Sequence, residues 1–173
     1  MNTLTRVLIT LLLITFSISA SANWGNKFQC LKTKATEFDG TIAEAAIATP
    51  ELSTLVTALS TANLVDAVNG EGNLTVFAPT NDAFNAIPPS ILNEILADTD
   101  ILTAVLLYHV VDGKVDARRS YFPKKIETLA EQKLFLTQID RKPHVNQSMI
   151  NCQAVKTTNG IVWIIGSVLL PQF

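Results

Sequence analysis

Apolar positions follow helical spacing through the first half of this chain and strand-like runs through the second. Asp39-Gly40 reads as a turn, and Thr41-Ile-Ala-Glu44 fits a capping box opening a short alanine-rich helix. Thr49 and Pro50 suit the cap and first position of a second helix. There Leu52, Leu55, Val56 and Leu59 recur every three or four residues, which predicts one buried face. Leu64, Val65 and Val68 add a further turn, ended by Asn69-Gly70. Leu74 to Ala78 is an apolar run that stops at Pro79, as a buried strand would, and passes into a helix capped by Thr80 or Asn81. Pro88-Pro89 interrupts the chain. Ser90 is placed to cap a helix carrying Ile91, Leu92, Ile95 and Leu96. Asp98 or Asp100 is placed to cap the next, with Ile101, Leu102, Val105 and Leu106 on one face. From Val110 the pattern becomes β-like, over 110–115, 133–139, 149–155 and 161–169, with a turn at Asn159-Gly160. Helices first and strands after predict an α+β fold instead of an alternating βα one. No internal repeat is present, so a single copy of one domain is expected.

The first 22 residues stand apart. Arg6 is the only charge before Lys27, Val7 to Phe16 is an apolar core, and Ala20-Ser-Ala22 offers small residues for cleavage. That layout predicts a secretory signal peptide over residues 1–22. The apolar run is shorter than the ~20 residues a spanning helix needs, and no later run is long enough, so no transmembrane segment is expected in the mature chain. Residues 23–37 read as a polar lead-in, and 38–173 as the domain. The 151 residues left after cleavage suit one core. They carry 12 basic and 15 acidic side chains, and that balance suggests neither nucleic acid nor a bulk anionic membrane as partner. The chain has two cysteines, Cys30 and Cys152. An even count in an oxidising compartment predicts one disulfide joining them. The loop closed is long, and the chain-entropy model assigns it about 4–5 kcal/mol.

No catalytic set is legible. His109 and His144 are the only histidines, and no His/Cys spacing suits zinc. There is no glycine-rich phosphate loop, no serine stands in a Gly-x-Ser-x-Gly context, and the carboxylates sit where helix caps and turns account for them. No enzyme activity, metal or cofactor is expected.

Three phrases carry a family resemblance: Thr75-Val-Phe-Ala-Pro-Thr-Asn-Asp-Ala-Phe84, Tyr108-His109 with the short strand and turn to Gly113, and the closing Asn159 to Pro171. Their order and spacing resemble the fasciclin (FAS1) domain over about residues 38–171. The resemblance implies a compact wedge of β-sheets flanked by several short helices, in a secreted module that serves cell adhesion, extracellular matrix or bacterial surface contact. It also implies that Tyr108 and His109 deserve scrutiny, because the equivalent region in animal members is linked to integrin binding. Packing at a helix-to-strand junction is the alternative reading of that pair. The closing phrase departs from the family pattern twice, with Trp163 where members usually have His and Gly166 where they usually have Asp. Losing that polar pair removes hydrogen bonds expected near the first phrase, and aromatic packing by Trp163 is the expected substitute.

A second candidate surface is basic. Lys114, Arg118, Arg119, Lys124 and Lys125 surround Tyr121 and Phe122, a pattern that suits an acidic polysaccharide or lipid head group, or simply a solvated loop beside Asp112 and Asp116. Asn73-Leu-Thr75 and Asn146-Gln-Ser148 match the glycosylation acceptor pattern. Two functions therefore stand at the sequence level. The first is an exported adhesion or matrix-contact module with a cell-surface or matrix protein as partner, through Tyr108, His109 and Phe122. The second is an exported glycan, lipid or small-ligand binder, through Arg118 and Arg119. The expected location is secreted or extracellular, periplasmic or on the cell surface if the source is bacterial.

Overall fold

A computed structural model describes residues 29–119 and 123–172 of the 173-residue chain. The expected signal peptide, the start of the lead-in, Tyr121 and Phe122 lie outside the described residues. The fold is α+β, a β-sheet wedge with several short helices packed on one side of it.

The helical part is assembled from local signals. Helix α1 (Gln29–Lys32) and strand β1 (Thr36–Glu37) lead in. Helix α2 (Ile42–Ile47) opens with a capping box, in which Glu44 N–H donates to Thr41 Oγ1 and Thr41 N–H donates to Glu44 Oε2 at 2.8 Å. Next come a single 3₁₀ turn (Pro50–Leu52), α3 (Ser53–Thr61) and α4 (Val65–Asn69). After strand β2 (Leu74–Pro79), Thr80 caps α5 (Asn81–Asn85) by accepting from Ala83 N–H. Asp98 caps α7 (Thr99–Tyr108) by accepting from Asp100 and Ile101 N–H. Two expected caps are not made. Helix α6 (Pro89–Ala97) begins one residue before Ser90, because Pro89 supplies a helical φ and has no N–H to satisfy. The Thr49 hydroxyl donates back to Ala45 O at 2.8 Å instead of capping the turn that follows.

The remaining strands are β3 (Val110–Asp112), β4 (Lys124–Glu127), β5 (Lys133–Ile139), β6 (Lys142–Val145), β7 (Ser148–Lys156) and β8 (Gly160–Ile165). Among the described residues they form one path, β3-β2-β8-β7-β6-β5-β4, with β1 added parallel to β7. Strands β2 and β8 run parallel, from Leu74 opposite Gly160 to Pro79 opposite Ile165. Both are covered on both faces, hence their unbroken apolar runs. On the helical side Val76, Ala78 and Val162 join Leu52, Leu55, Leu59, Leu102, Val105 and Leu106. On the other side Phe77, Trp163 and Ile165 join Leu134, Leu136, Val145 and Ile150. Two cores thus share one pair of central strands.

Strands β3 and β8 are both shorter than the sequence pattern suggested. Gly113, at φ 88°, turns the chain after Asp112. The stretch after Ile165 leaves the sheet, with Ser148 Oγ accepting from Ser167 N–H at 2.9 Å. The disulfide joins Cys30 to Cys152 with Cα atoms 5.0 Å apart, and so fastens α1 to β7.

Candidate functional site

The Tyr108-His109 pair sits where α7 gives way to β3. His109 is 2 % exposed and has both ring nitrogens engaged. Nδ1 lies 2.7 Å from Val105 O, and Nε2 accepts from Leu169 N–H at 2.9 Å. Those two partners require the neutral ring with its proton on Nδ1. Burial pushes the His109 pKa down to about 4, against a smaller opposing pull from the Val105 carbonyl. His109 therefore anchors the C-terminal stretch to α7 and presents no ring edge to solvent. Tyr108 is buried too, but its hydroxyl reaches outward. It donates to Lys133 O and accepts from Asn146 Nδ2, both at 3.2 Å. Asn146 Oδ1 also accepts from Phe135 N–H at 3.0 Å, so the Asn146 amide is committed within the fold. At the other acceptor pattern Thr75 is fully buried, with its hydroxyl donating to Gly113 O and accepting from Val115 N–H.

The two arginines have different fates. Arg118 lies half-buried against the fold. Its Nε and Nη2 donate to the Asp116 carboxylate at 2.8 and 3.0 Å, and its Nη1 donates to Thr33 O. Its guanidinium lies 5.4 Å from the Trp163 ring centre, a cation–π geometry. Trp163 is fully buried and its Nε1–H donates to Val115 O at 2.9 Å. So the tryptophan brings a hydrogen bond as well as aromatic packing. Burial of the Asp116 carboxyl opposes ionisation, but the Arg118 hydrogen bonds and the charges of Arg118 and Arg119 outweigh it and hold the pKa below the ordinary carboxylate value. Arg119 is the exposed one, 76 % accessible, with its Nε 3.2 Å from Asp116 Oδ2. The structure does not bring Arg118 and Arg119 together as a free basic pair.

Asn159 is a residue that sequence reading took for a turn former. It is 6 % exposed. Its Oδ1 accepts from Ile42 N–H at 2.9 Å, and its Nδ2 donates to Val68 O and Gly70 O at 2.9 and 3.0 Å. One amide thus joins α2, α4 and the start of β8. The next residue must be glycine, since a Cβ on Gly160 would fall 2.1 Å from Leu74 O. The phrase Asn159-Gly160 is a structural lock, and no local signal separates that role from a turn.

Beside Tyr108 the surface opens into a concavity of about 870 Å³, with Lys133, Phe135, Asn146, Gln147, Leu170 and Gln172 among its lining. Phe135 and Leu170 are 43 % and 46 % exposed, so apolar surface borders it. A second, apolar cavity between the helices and the central strands holds only about 10 Å³, no more than one water. Among the described residues no group of three or more His, Cys, Asp or Glu side chains is close enough to hold a metal ion.

Comparison with known proteins defines the class. The Fasciclin domain family matches residues 50–171. The FAS1 domain pair of the insect cell adhesion molecule Fasciclin I shares the fold, with a TM-score of 0.65 over 76 % of this chain and 51 % of that one, at 16 % identity. The chain belongs to the fasciclin domain family. Among its relatives, the Synechocystis protein sll1483 is 39 % identical over 139 residues, covering 79 % of this chain and 77 % of the relative. The immunogenic protein MPB70 of Mycobacterium bovis is 38 % identical over 135 residues, 75 % of this chain and 68 % of that protein. The M. bovis cell surface glycolipoprotein MPB83 is 37 % identical, and the match spans 60 % of its length. No described helix is long and apolar enough to cross a membrane.

Proposed function

We propose that this is an exported, non-enzymatic fasciclin-domain protein that makes adhesive contacts with a cell surface or its surrounding matrix. Residues 1–22 direct export and are removed, and residues 23–173 work outside the cytoplasm. The relatives support this reading, since one is a cell surface glycolipoprotein and the fold is shared with a cell adhesion molecule. The observation that carries the site is the open concavity beside Tyr108. The His109 and Arg118 side chains are spent on internal bonds. The concavity keeps exposed Phe135 and Leu170 next to the amides of Gln147 and Gln172. Apolar anchors beside polar groups, held on a rigid sheet, suit the docking of a protein segment. Tyr108 then acts as a floor whose hydroxyl fixes Asn146 at the edge.

The second reading is a glycan or small-ligand binder at the same place. It draws on the amide-rich lining, because the Gln147 and Gln172 side chains can exchange hydrogen bonds with sugar hydroxyls, while the Gln132 amide is paired with the Gln172 main chain. Capture experiments separate the two. Disulfide-intact protein of residues 23–173 is presented to surface extracts of the source organism, alongside a Phe135→Ala/Leu170→Ser variant. A reproducible protein partner, lost with the variant, is expected. Glycan captured without protein favours the second reading, and capture unchanged by the variant removes the concavity as the site. N-terminal sequencing of the exported protein should begin at Asn23, and a retained Met1 would overturn the removal of residues 1–22.

A further inference from the structure

The near-neutral total charge hides a polar division. Residues 38–113 carry ten acidic side chains and no basic one, whereas residues 114–173 carry nine basic and four acidic. The division coincides with the architecture. The acidic segment supplies α2 to α7 with β2 and β3, and the basic segment supplies β4 to β8.

The outward face of β4 to β7 carries part of that excess. Along β5, Leu134 and Leu136 point into the core, so Lys133, Phe135, Thr137 and Ile139 point out. Lys125 pairs with Phe135 across to β4, Lys142 pairs with Ile139 across to β6, and Met149 of β7 pairs with His144 of β6, itself paired with Thr137. Residues paired in this way share a face of the sheet. The result is three lysines, Lys125, Lys133 and Lys142, among three exposed apolar side chains. Phe135, Ile139 and Met149 are 43 %, 47 % and 48 % exposed. Lys125 Nζ lies 5.4 Å from the Phe135 ring centre. Glu127 stands opposite Lys133 and offsets part of its charge, and Asp140 lies in the β5–β6 turn. Lysines on a surface that also offers large apolar side chains match an anionic bilayer interface, which attracts the ammonium groups and accepts the apolar ones at the acyl boundary. Ile139 and Met149 favour lipid over an acidic polysaccharide, which offers no apolar layer for them to enter. The acidic helical half would be repelled from the same surface, and that fixes the orientation.

We infer that the outward face of β4 to β7 docks on an anionic lipid bilayer through Lys125, Lys133 and Lys142, with Phe135, Ile139 and Met149 entering the headgroup layer. The docked molecule points its acidic helices away from the membrane. It is a contact additional to the concavity beside Tyr108, although Lys133 and Phe135 border both.

Co-sedimentation with vesicles tests the inference. Protein of residues 23–173 is mixed with vesicles of phosphatidylglycerol and phosphatidylcholine in equal parts, or of phosphatidylcholine alone. Binding is expected only to the anionic vesicles, and added salt should weaken it. Near such a surface each lysine is worth about a fivefold factor, so Lys125→Gln/Lys133→Gln/Lys142→Gln should lose on the order of a hundredfold in affinity. Ile139→Ser/Met149→Ser should also bind less, whereas Ile47→Ser, at an exposed position of helix α2 on the helical side, should bind as the wild type does. Circular dichroism of each variant confirms that it is folded. Equal binding to both vesicle types, or binding unchanged in the lysine variant, overturns the inference. Retention on an immobilised acidic polysaccharide with no vesicle binding overturns it too, and leaves the adhesive reading standing.

Discussion

The helical and sheet halves of this domain solve the same packing problem by different means. In the helical half three helices start with a local side-chain device: Thr41 and Glu44 at α2, Thr80 at α5, Asp98 at α7. The apolar side chains then meet β2 and β8 from one side. In the sheet half the pieces come from distant parts of the chain and are fixed by single polar side chains. His109 holds Leu169, Trp163 holds Val115, and Arg118 holds Thr33. The helical half can lose one polar group and keep its caps, whereas the sheet half loses a long-range tie with each. Polar residues that look like binding chemistry in the sequence are, in this half, the ties themselves.

That contrast can be broken at Trp163 first. Trp163→Ala removes a fully buried ring, its bond to Val115 O and the face under Arg118, and should cost about 3–5 kcal/mol. Denaturant unfolding measures it, and a loss below about 1 kcal/mol would contradict the role given to the ring. Asn159→Ala tests the joint between the halves. It leaves Ile42 N–H and Val68 O without their buried partner and should cost about 2–4 kcal/mol, read from the same unfolding curves.

His109 sharpens the comparison through pH. Its folded pKa of about 4 lies below the ordinary 6.5, so the unfolded chain takes up the proton first. The stability that comes from keeping the ring neutral is whole above pH 6.5 and is lost as pH falls toward 4, by about 3 kcal/mol in all. A His109→Gln variant should show a flatter fall in melting temperature across that window than the wild type. Parallel curves would mean that His109 is not the titrating group. The smallest effect separates the arginines. Arg119→Ala, at an exposed ion pair, should change stability by less than about 0.5 kcal/mol, whereas Arg118→Ala should cost about 1–2 kcal/mol through lost packing and hydrogen bonds. Equal losses would erase the distinction drawn between them.

Much of the helical half was legible because its signals are local. Capping boxes, prolines at first helical positions and three-to-four-residue spacing act within a few residues of the element they specify, and the misplaced cap at Ser90 is off by two positions for the same local reason, Pro89. The central strands were legible as apolar runs. Their parallel pairing was not, since register between residues 74–79 and 160–165 is a property of the whole chain. The predicted pairing of Cys30 and Cys152 needed only compartment and parity, and it is present. The site was far less legible. Tyr108, His109, Arg118 and Arg119 stand as similar polar candidates in the sequence, yet burial divides them into two anchors, a latch and a surface charge. Phe135 and Leu170, which border the concavity with Tyr108, gave no signal, because a Phe in an alternating strand and a residue near the C-terminus look the same whether they face core or solvent, and Asn146 stood out only as a glycosylation acceptor pattern. The division of charge was readable throughout, but a net total conceals it.

The central claim is that contacts are made from the sheet side while the helical side faces away. Hydrogen exchange of the disulfide-intact protein, residues 23–173, with and without surface extract of the source organism, tests it most directly. The account predicts slowed exchange in β5, the β6–β7 turn and residues 169–172, with α2 to α6 unchanged. Protection confined to those helices would contradict it.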